Sequence, residues 1–253
     1  MAIIIKSERE IGLIRESCRM LEKVHDELSK IIRPGISTLE IDKTGEELIR
    51  SFGGVPNFLH YNGYPASICV SVNEEVVHGI PKKDRILKEG DIVSLDAGMM
   101  LKGYHSDAAR TYAVGKVTPE VGCLIEATKQ SFFEGIRYAK EGYHLFDISN
   151  AIAGYIKPFG YGIVRDLTGH GVGTELHEDP PVPNFRQLTR GPKLRRGMTL
   201  AIEPMINLGT WKVRWLDDDW TVVSADGSYS AHYENTVLIT DGEPEILTLS
   251  GGL

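Results

Sequence analysis

The sequence predicts an α+β fold built as two related halves, and three observations carry that prediction. A pair of helix signals leads into strand and hairpin signals, and the same succession starts again at Thr118. Secondly, the 253 residues are 42% hydrophobic and 25% charged, the balance of an ordinary globular chain long enough to bury a substantial core. The third observation is a repeat. Arg33-Pro-Gly35 with Leu39 and Ile41 matches Lys140-Glu-Gly142 with Phe146 and Ile148, and Leu87 to Asp96 matches Leu194 to Glu203, both at an offset of 107 positions. The chain therefore reads as a single domain, 1–253, with an internal pseudo-repeat of roughly 1–115 and 116–253.

Ser7 with Glu10 makes a capping box, in which each side chain satisfies a free backbone N–H of the first helical turn. Ile11, Ile14, Leu21, Leu28 and Ile32 then trace one face of a long amphipathic helix until Pro34-Gly35 stops it. Ser37 and Glu40 open a second helix that reaches about Arg50, ahead of Gly53-Gly54. From Ala66 to Val77 the chain reads as a strand. Ile92, Val93 and Leu95 leave a Glu89-Gly90 turn as the first arm of a hairpin, Lys102-Gly103 reverses the chain, and Tyr104 starts the return. Placing Met100 opposite Gly103 puts Asp96 opposite Asp107. Thr118-Pro119-Glu120 starts the next helix with proline in the first turn, and Val121, Leu124, Phe132, Ile136 and Ala139 carry its face to Glu141-Gly142. A shorter helix follows from about Asp147, and Ser230 to Ile239 is strand-like.

The hairpin is where chemistry enters. Directly opposed residues have Cβ atoms about 4.5 to 5.5 Å apart, where like charges destabilise. Two carboxylates at that range repel by roughly 4 kcal/mol at an effective dielectric of about 20, so a divalent cation held by both is the simplest compensation. The repeat enlarges the pair, because Asp96 corresponds to Glu203. In the first half His78 precedes Asp96 and Asp107; in the second, His170 and His177 precede Glu203 and Glu234. If the halves face each other, four carboxylates and up to three histidines converge on one cleft, a charge that two divalent cations would neutralise. Oxygen-rich ligation with imidazole suits manganese, iron, cobalt or zinc. His170 stands in Gly169-His-Gly-Val-Gly173, where glycines permit tight turns around an inward imidazole. His78 and His177 each lie just before a proline turn, at positions suited to substrate contact. His105 and His232 stand two residues before Asp107 and Glu234, on the same strand faces, and spacing leaves them open as ligands.

A net charge of −7 and a pI near 5.7 argue against DNA or RNA binding as the main function. Arg190, Lys193, Arg195 and Arg196 form the single basic cluster, read as a solvated loop. Cys18, Cys69 and Cys123 are far apart, odd in number and form no CxxC, which argues against a disulfide framework or a thiolate zinc site and fits a reducing cytosol. No signal peptide or membrane span is expected.

Val77-His78-Gly-Ile-Pro81, Leu95-Asp96-Ala-Gly98, Ser106-Asp107-Ala-Ala-Arg-Thr111, Gly169-His170-Gly-Val-Gly173, His177-Glu-Asp-Pro180, Ile202-Glu203-Pro-Met205 and Tyr233-Glu234-Asn-Thr236 together resemble, in order and over nearly the whole chain, the signature set of type I methionine aminopeptidases. The resemblance implies the pita-bread fold, a curved antiparallel sheet with helices on one face and two pseudo-symmetric halves. It implies that Asp96, Asp107, His170, Glu203 and Glu234 bind two divalent metal ions, that His78 and His177 contact substrate, and that Glu203 acts as general base beside an activated water. The methionine pocket implied is Tyr61, Tyr64, Cys69 and Trp220. Two positions depart from the pattern: Leu176 stands where phenylalanine is common, and Phe58 where bacterial members often have cysteine. The implied activity is removal of the N-terminal methionine from nascent polypeptides when the second residue is small. A cytoplasmic monomer of the compact bacterial form is expected, without an N-terminal zinc-binding extension and with the ribosome surface as a partner. Two other readings share the fold: a proline-directed peptidase, and an inert binding module, which should lack the metal ligands present here.

Overall fold

The predicted helix starts are in place in the computed structural model, which describes residues 2–249. Helix α1 (Glu8–Ile31) opens with the Ser7–Glu10 capping box, the Ser7 N–H donating to the Glu10 carboxylate at 2.7 Å. Helix α2 (Thr38–Ser51) repeats the device with Ser37 and Glu40. The Thr118 hydroxyl caps α3 (Pro119–Ile136) by accepting from Val121 N–H. That helix ends before Ala139, short of the predicted Glu141-Gly142, because Tyr138 and Ala139 turn their N–H groups back three residues to Gly135 and Ile136. In α4 (Leu145–Ile156), Asp147 is the third residue rather than the first, and its carboxylate accepts from His144 N–H at 2.9 Å.

In chain order the strands are β1 (Val55–Pro56), β2 (Cys69–Val72), β3 (Glu75–Val77), β4 (Ile92–Leu101), β5 (Tyr104–Ala113), β6 (Gly162–Ile163), β7 (Gly169–Gly171) and β8 (Glu178–Val182). They continue as β9 (Thr199–Ile202), β10 (Met205–Asn207), β11 (Val213–Trp215), β12 (Val222–Ser224), β13 (Ser230–His232), β14 (Glu234–Leu238) and β15 (Glu245–Ile246). A nine-stranded antiparallel sheet runs β1-β4-β5-β14-β9-β7-β8, with β2 added beside β4 and β15 beside β14. Two three-stranded sheets, β13-β10-β6 and β11-β12-β3, complete the fold. The single strand predicted over 66–77 is two strands, since Asn73 turns the chain at φ +58°. The strand predicted over 230–239 likewise divides at Tyr233, with β13 leaving for a small sheet and β14 staying in the large one.

The hairpin register differs from the expected one. Lys102 and Gly103 both take positive φ, 53° and 83°, the geometry of a two-residue hairpin loop. Leu101 and Tyr104 therefore close the ladder, Asp96 faces Ala109, and Asp107 faces Gly98. The two aspartates are diagonal neighbours on one face rather than directly opposed.

Register then fixes which side each residue takes. Val93, Leu95, Ala97 and Met99 of β4 pack with Leu21, Val24 and Leu28 of α1 and Ile41 and Ile49 of α2. Across the ladder Ala97 faces Ala108, Ala108 faces Asn235, and Asn235 faces Ile202. Ile202, Leu200 and Val237 pack with Phe132 and Ile136 of α3 and Ile148 and Ile152 of α4. All four helices thus cover the same face. Alternation directs Asp96, Asp107, Glu234 and His170 to the other one.

Candidate metal centre

On the helix-free face Asp107, His170 and Glu234 each offer a donor atom, and these atoms lie within 4.8 Å of one another. Glu203, one residue past the end of β9, brings Oε1 to 3.7 Å from His170 Nε2, the distance at which Asp107 Oδ2 also stands. Asp96 lines the same cavity. The five residues expected as ligands come together, although Asp96 and Glu203 stand outside the tightest group.

Three observations bear on whether a cation fits. Asp96 Oδ1, Asp107 Oδ1 and Glu234 Oε1 are sealed from solvent and accept no hydrogen bond among the described residues, a costly condition for ionised oxygens. His170 Nδ1 lies 2.9 Å from the Gly171 carbonyl oxygen. A carbonyl only accepts, so the proton sits on Nδ1 and the Nε2 lone pair is left for a metal. Lastly, burial raises all four carboxyl groups above the ordinary range, with neighbouring carboxylates adding to the rise at Asp107 and Glu234. Burial also pushes His170 down to about 3, with His177 contributing, and His78 down to about 4. An acid cluster that holds protons for want of positive charge, beside a neutral imidazole, fits the oxygen and nitrogen ligation of manganese, iron, cobalt or zinc. Cys69, paired across the ladder with Asp96, keeps its thiol proton, because burial and the aspartate push it well above its ordinary value.

The glycines around His170 do not make the tight turn expected of them. Gly169–Gly171 is a strand, and the bare Cα positions let neighbouring backbone close in: a Cβ would lie 2.3 Å from Ala201 O at Gly169 and 2.4 Å from Asp179 O at Gly171. His170 is held between two strands that only glycine lets approach.

The cavity encloses about 270 Å³ and is lined by every residue expected in the site: the four acids and His170, with His78, His177, Tyr61, Tyr64, Cys69 and Trp220. His78 follows the last residue of β3 with φ +58° and meets the Trp220 ring edge-on at 6.2 Å. Tyr64 packs edge-on to Trp220 at 5.1 Å and donates its hydroxyl to Gly79 O at 2.9 Å. His177 stacks obliquely on His170, with ring centres 4.2 Å apart, and its Nδ1 lies 2.8 Å from the Tyr61 hydroxyl. Phe58 and Leu176, the positions that depart from the family pattern, share one buried cluster with Tyr64, Ala66 and Cys69. The larger side chain at one and the smaller at the other belong to the same cluster, of which Phe58 reaches the cavity.

Sequence reasoning missed Asn62, which lines the cavity at φ +49° between His60 and Gly63; a run of residues that tolerate left-handed backbone was its only local signal. The two histidines left open separate. His105 turns away to Asn57, its Nδ1 2.8 Å from Oδ1. His232 lies behind the acids with Nε2 3.5 Å from Glu203 Oε2.

Comparison with known proteins places this geometry in a series. The description "Metallopeptidase family M24" matches residues 12–241. A methionine aminopeptidase of Clostridium acetobutylicum is 52% identical over 247 residues, spanning 98% of this chain and 99% of that protein. Methionine aminopeptidase 1 of Bacillus subtilis is 49% identical over 246 residues, spanning 97% and 99%. The crystal structure of methionine aminopeptidase from Thermotoga maritima superposes with a TM-score of 0.96 at 42% identity, over 98% of this chain and 99% of that one. A prolidase from Pyrococcus furiosus, 24% identical, superposes with a TM-score of 0.77 over 98% of this chain and 66% of that one, a likeness of fold alone.

Proposed function

The chain belongs to metallopeptidase family M24, and on that premise we propose that it removes the N-terminal methionine of nascent polypeptides by metal-dependent hydrolysis of the first peptide bond, preferring a small second residue. The observation that carries the reading is the pairing of two unlike walls in one cavity. One wall holds orphaned carboxylate oxygens and the free Nε2 of His170; the other is apolar, made by Phe58, Tyr64, Cys69 and Trp220 with Leu176 in the same buried cluster. A methionine side chain, flexible and at home against aromatic rings, suits the second wall while its amino group and first carbonyl reach the first.

We assign Asp96, Asp107, His170, Glu203 and Glu234 as the ligands of two divalent cations, on the ground that four carboxylates need about four positive charges to be stable together. Cations bound there would acidify a water molecule and polarise the scissile carbonyl. Glu203 takes the proton of the attacking water, its carboxylate standing at the inner end of the cavity with Oε1 3.7 Å from His170 Nε2. His177 donates from Nε2 to the carbonyl oxygen while Nδ1 accepts the Tyr61 hydroxyl proton. His78, kept neutral by burial, contacts the substrate without repelling its ammonium group. The proposal extends to a single catalytic domain with duplicated halves, working as a cytoplasmic monomer where chains leave the ribosome. Free thiols at Cys18, Cys69 and Cys123 support the reducing compartment, and no described helix is long and apolar enough to cross a membrane.

Peptide profiling with the metal-loaded protein tests it. Met-Ala and Met-Gly peptides are cut, Met-Lys and Met-Phe poorly. Faster turnover of Xaa-Pro peptides lacking methionine would overturn the specificity in favour of a proline-directed peptidase.

A further inference from the structure

An ion pair outside the metal centre anchors the turn that carries His177. Glu178 is the next residue, and its Oε1 accepts from the N–H groups of Thr174 at 2.9 Å and Glu175 at 3.3 Å. Its Oε2 receives Lys6 Nζ at 2.5 Å, and the two side chains are only 3% and 4% exposed. Lys6 lies 172 positions earlier, on the N-terminal arm ahead of α1, and the arm is itself tied down by Lys6 N–H donating to Gly197 O at 2.8 Å. Gly173 makes room for the pair: a Cβ there would sit 2.5 Å from Glu178 Oε1 and 2.6 Å from Lys6 Cε. The turn also closes on itself through Gly173 N–H to Glu175 O at 3.1 Å, and Gly173 O accepts from His105 N–H at 2.8 Å.

Stability alone does not account for this arrangement. Withdrawing two opposite charges from water is expensive, and a well-packed apolar pair of similar volume is often as stable or more so. What an apolar pair cannot do is hold two backbone N–H groups of a turn in fixed directions, and the Glu178 carboxylate does. Lys6 is the cation that faces this buried carboxylate. His177, by contrast, is exposed at the cavity, with the Tyr61 hydroxyl as its side-chain hydrogen-bond partner. We propose that Lys6 is a positioning residue: through Glu178 it fixes the 173–178 turn and so sets the His177 imidazole against the scissile carbonyl. The inference rests on the reading of His177 as a substrate contact.

A double-mutant cycle on the full chain tests it, using Lys6→Met, His177→Ala and both together, with kcat and KM on a Met-Ala peptide, metal stoichiometry and thermal unfolding measured for each. Displacing a catalytic group by about 1 Å costs on the order of 100-fold, so Lys6→Met alone should lower kcat by about 10- to 100-fold with metal content unchanged. In the His177→Ala background it should cost nothing more, because the group it positions is gone. An equal fold-loss in both backgrounds, or no loss in either, overturns the inference and makes the pair a structural feature only. If His177→Ala itself leaves kcat unchanged, the substrate-contact reading fails, and the positioning role falls with it for that identifiable reason. Should Lys6→Met not fold, Lys6→Met with Glu178→Gln replaces it in the cycle: the glutamine carbonyl still accepts from Thr174, no charge is stranded, and the same non-additivity with His177 is expected.

Discussion

The floor of the cavity stands on the interior strands of the large sheet, with Asp96 in β4, Asp107 in β5 and Glu234 in β14, whereas its rim comes from turns and strand ends. The rim backbone is unusual in a way the floor is not. Tyr61 lies between His60 and Asn62, at φ +67° and +49°; His78 itself is at +58°; Trp220 follows Asp219 at +63°. Non-glycine residues held so cost of order 1 to 3 kcal/mol each and gather where function requires them. The floor is over-determined by strand pairing, so its electrostatics, rather than its geometry, carries the unrelieved cost. In the rim that cost lies in the backbone. Chemistry common to a family belongs on the first kind of structure, and discrimination among substrates on the second.

Breaking the floor should produce the largest effect. Lewis-acid assistance is worth several kcal/mol, so exhaustive chelation should lower kcat by at least about 10³-fold, and manganese or cobalt should restore it. Activity that persisted with no metal in the protein would remove the distinction between floor and rim altogether.

Next comes a pair of histidines on either side of the divide. His170→Ala should weaken metal binding by at least the roughly 10- to 100-fold that losing an outer-shell partner costs, and excess metal should recover part of the rate. His177→Ala should keep its metal and lose about 10²- to 10³-fold in kcat, as when an oxyanion donor is removed. Stoichiometry and kcat for both variants decide the matter. Metal loss in His177→Ala with retention in His170→Ala reverses the assignment.

The same divide separates what was legible in the sequence from what was not. Of the five floor residues, Asp96 and Glu203 could be paired because the offset of 107 positions matches them, while the whole set followed from the resemblance of the motifs that carry them. Their relative placement could not, because register depends on which two residues form the hairpin loop. Putting Lys102 and Gly103 in the loop slides Asp107 from Asp96 to Gly98. The capping boxes at Ser7 and Ser37 set the helix starts, since the signal lies within four residues. Strand breaks at Asn73 and Tyr233 went unseen, as did Asn62 in the rim and the Lys6–Glu178 pair. Asn62 and Asn73 carry only the weak local signal of a residue that tolerates left-handed backbone, and the Lys6–Glu178 pair has none, since it joins segments 172 positions apart.

A pH series on the metal-free protein sharpens the account of the floor. Asp96 and Glu203 are raised to about 7 and about 8, so the folded state holds protons that the unfolded state, with carboxyls near their ordinary values of about 4, has already released. Their contribution is fully present below the ordinary value and is lost as pH rises through the raised ones. Lowered histidines act in the opposite sense, but only below their ordinary value of about 6.5. Between pH 6.5 and 8.5 the carboxyls therefore dominate, and each extra proton the folded state still holds lowers its stability by about 1.4 kcal/mol per pH unit. At roughly 2 to 4 °C per kcal/mol for a chain of this size, Tm of the metal-free protein should fall by several degrees across the window. With manganese bound the fall should vanish, since cations hold the carboxylates ionised throughout. A metal-free Tm that stays level or rises would mean the acids are not buried together as protonated groups.

The smallest effect belongs to the rim, at Tyr61→Phe. The phenyl ring keeps the apolar contact with the cavity, so methionine binding and KM should change little. What goes is the hydroxyl 2.8 Å from His177 Nδ1, and with it the preference for the tautomer that leaves a proton on Nε2. A hydrogen bond of this kind is worth about 0.5 to 1.5 kcal/mol, which corresponds to a loss of roughly 2- to 10-fold in kcat. Because the hydroxyl acts only through the imidazole, the loss should disappear in His177→Ala. A change confined to KM would instead make Tyr61 a wall of the methionine pocket and nothing more, and would leave Nε2 without the device that fixes its proton.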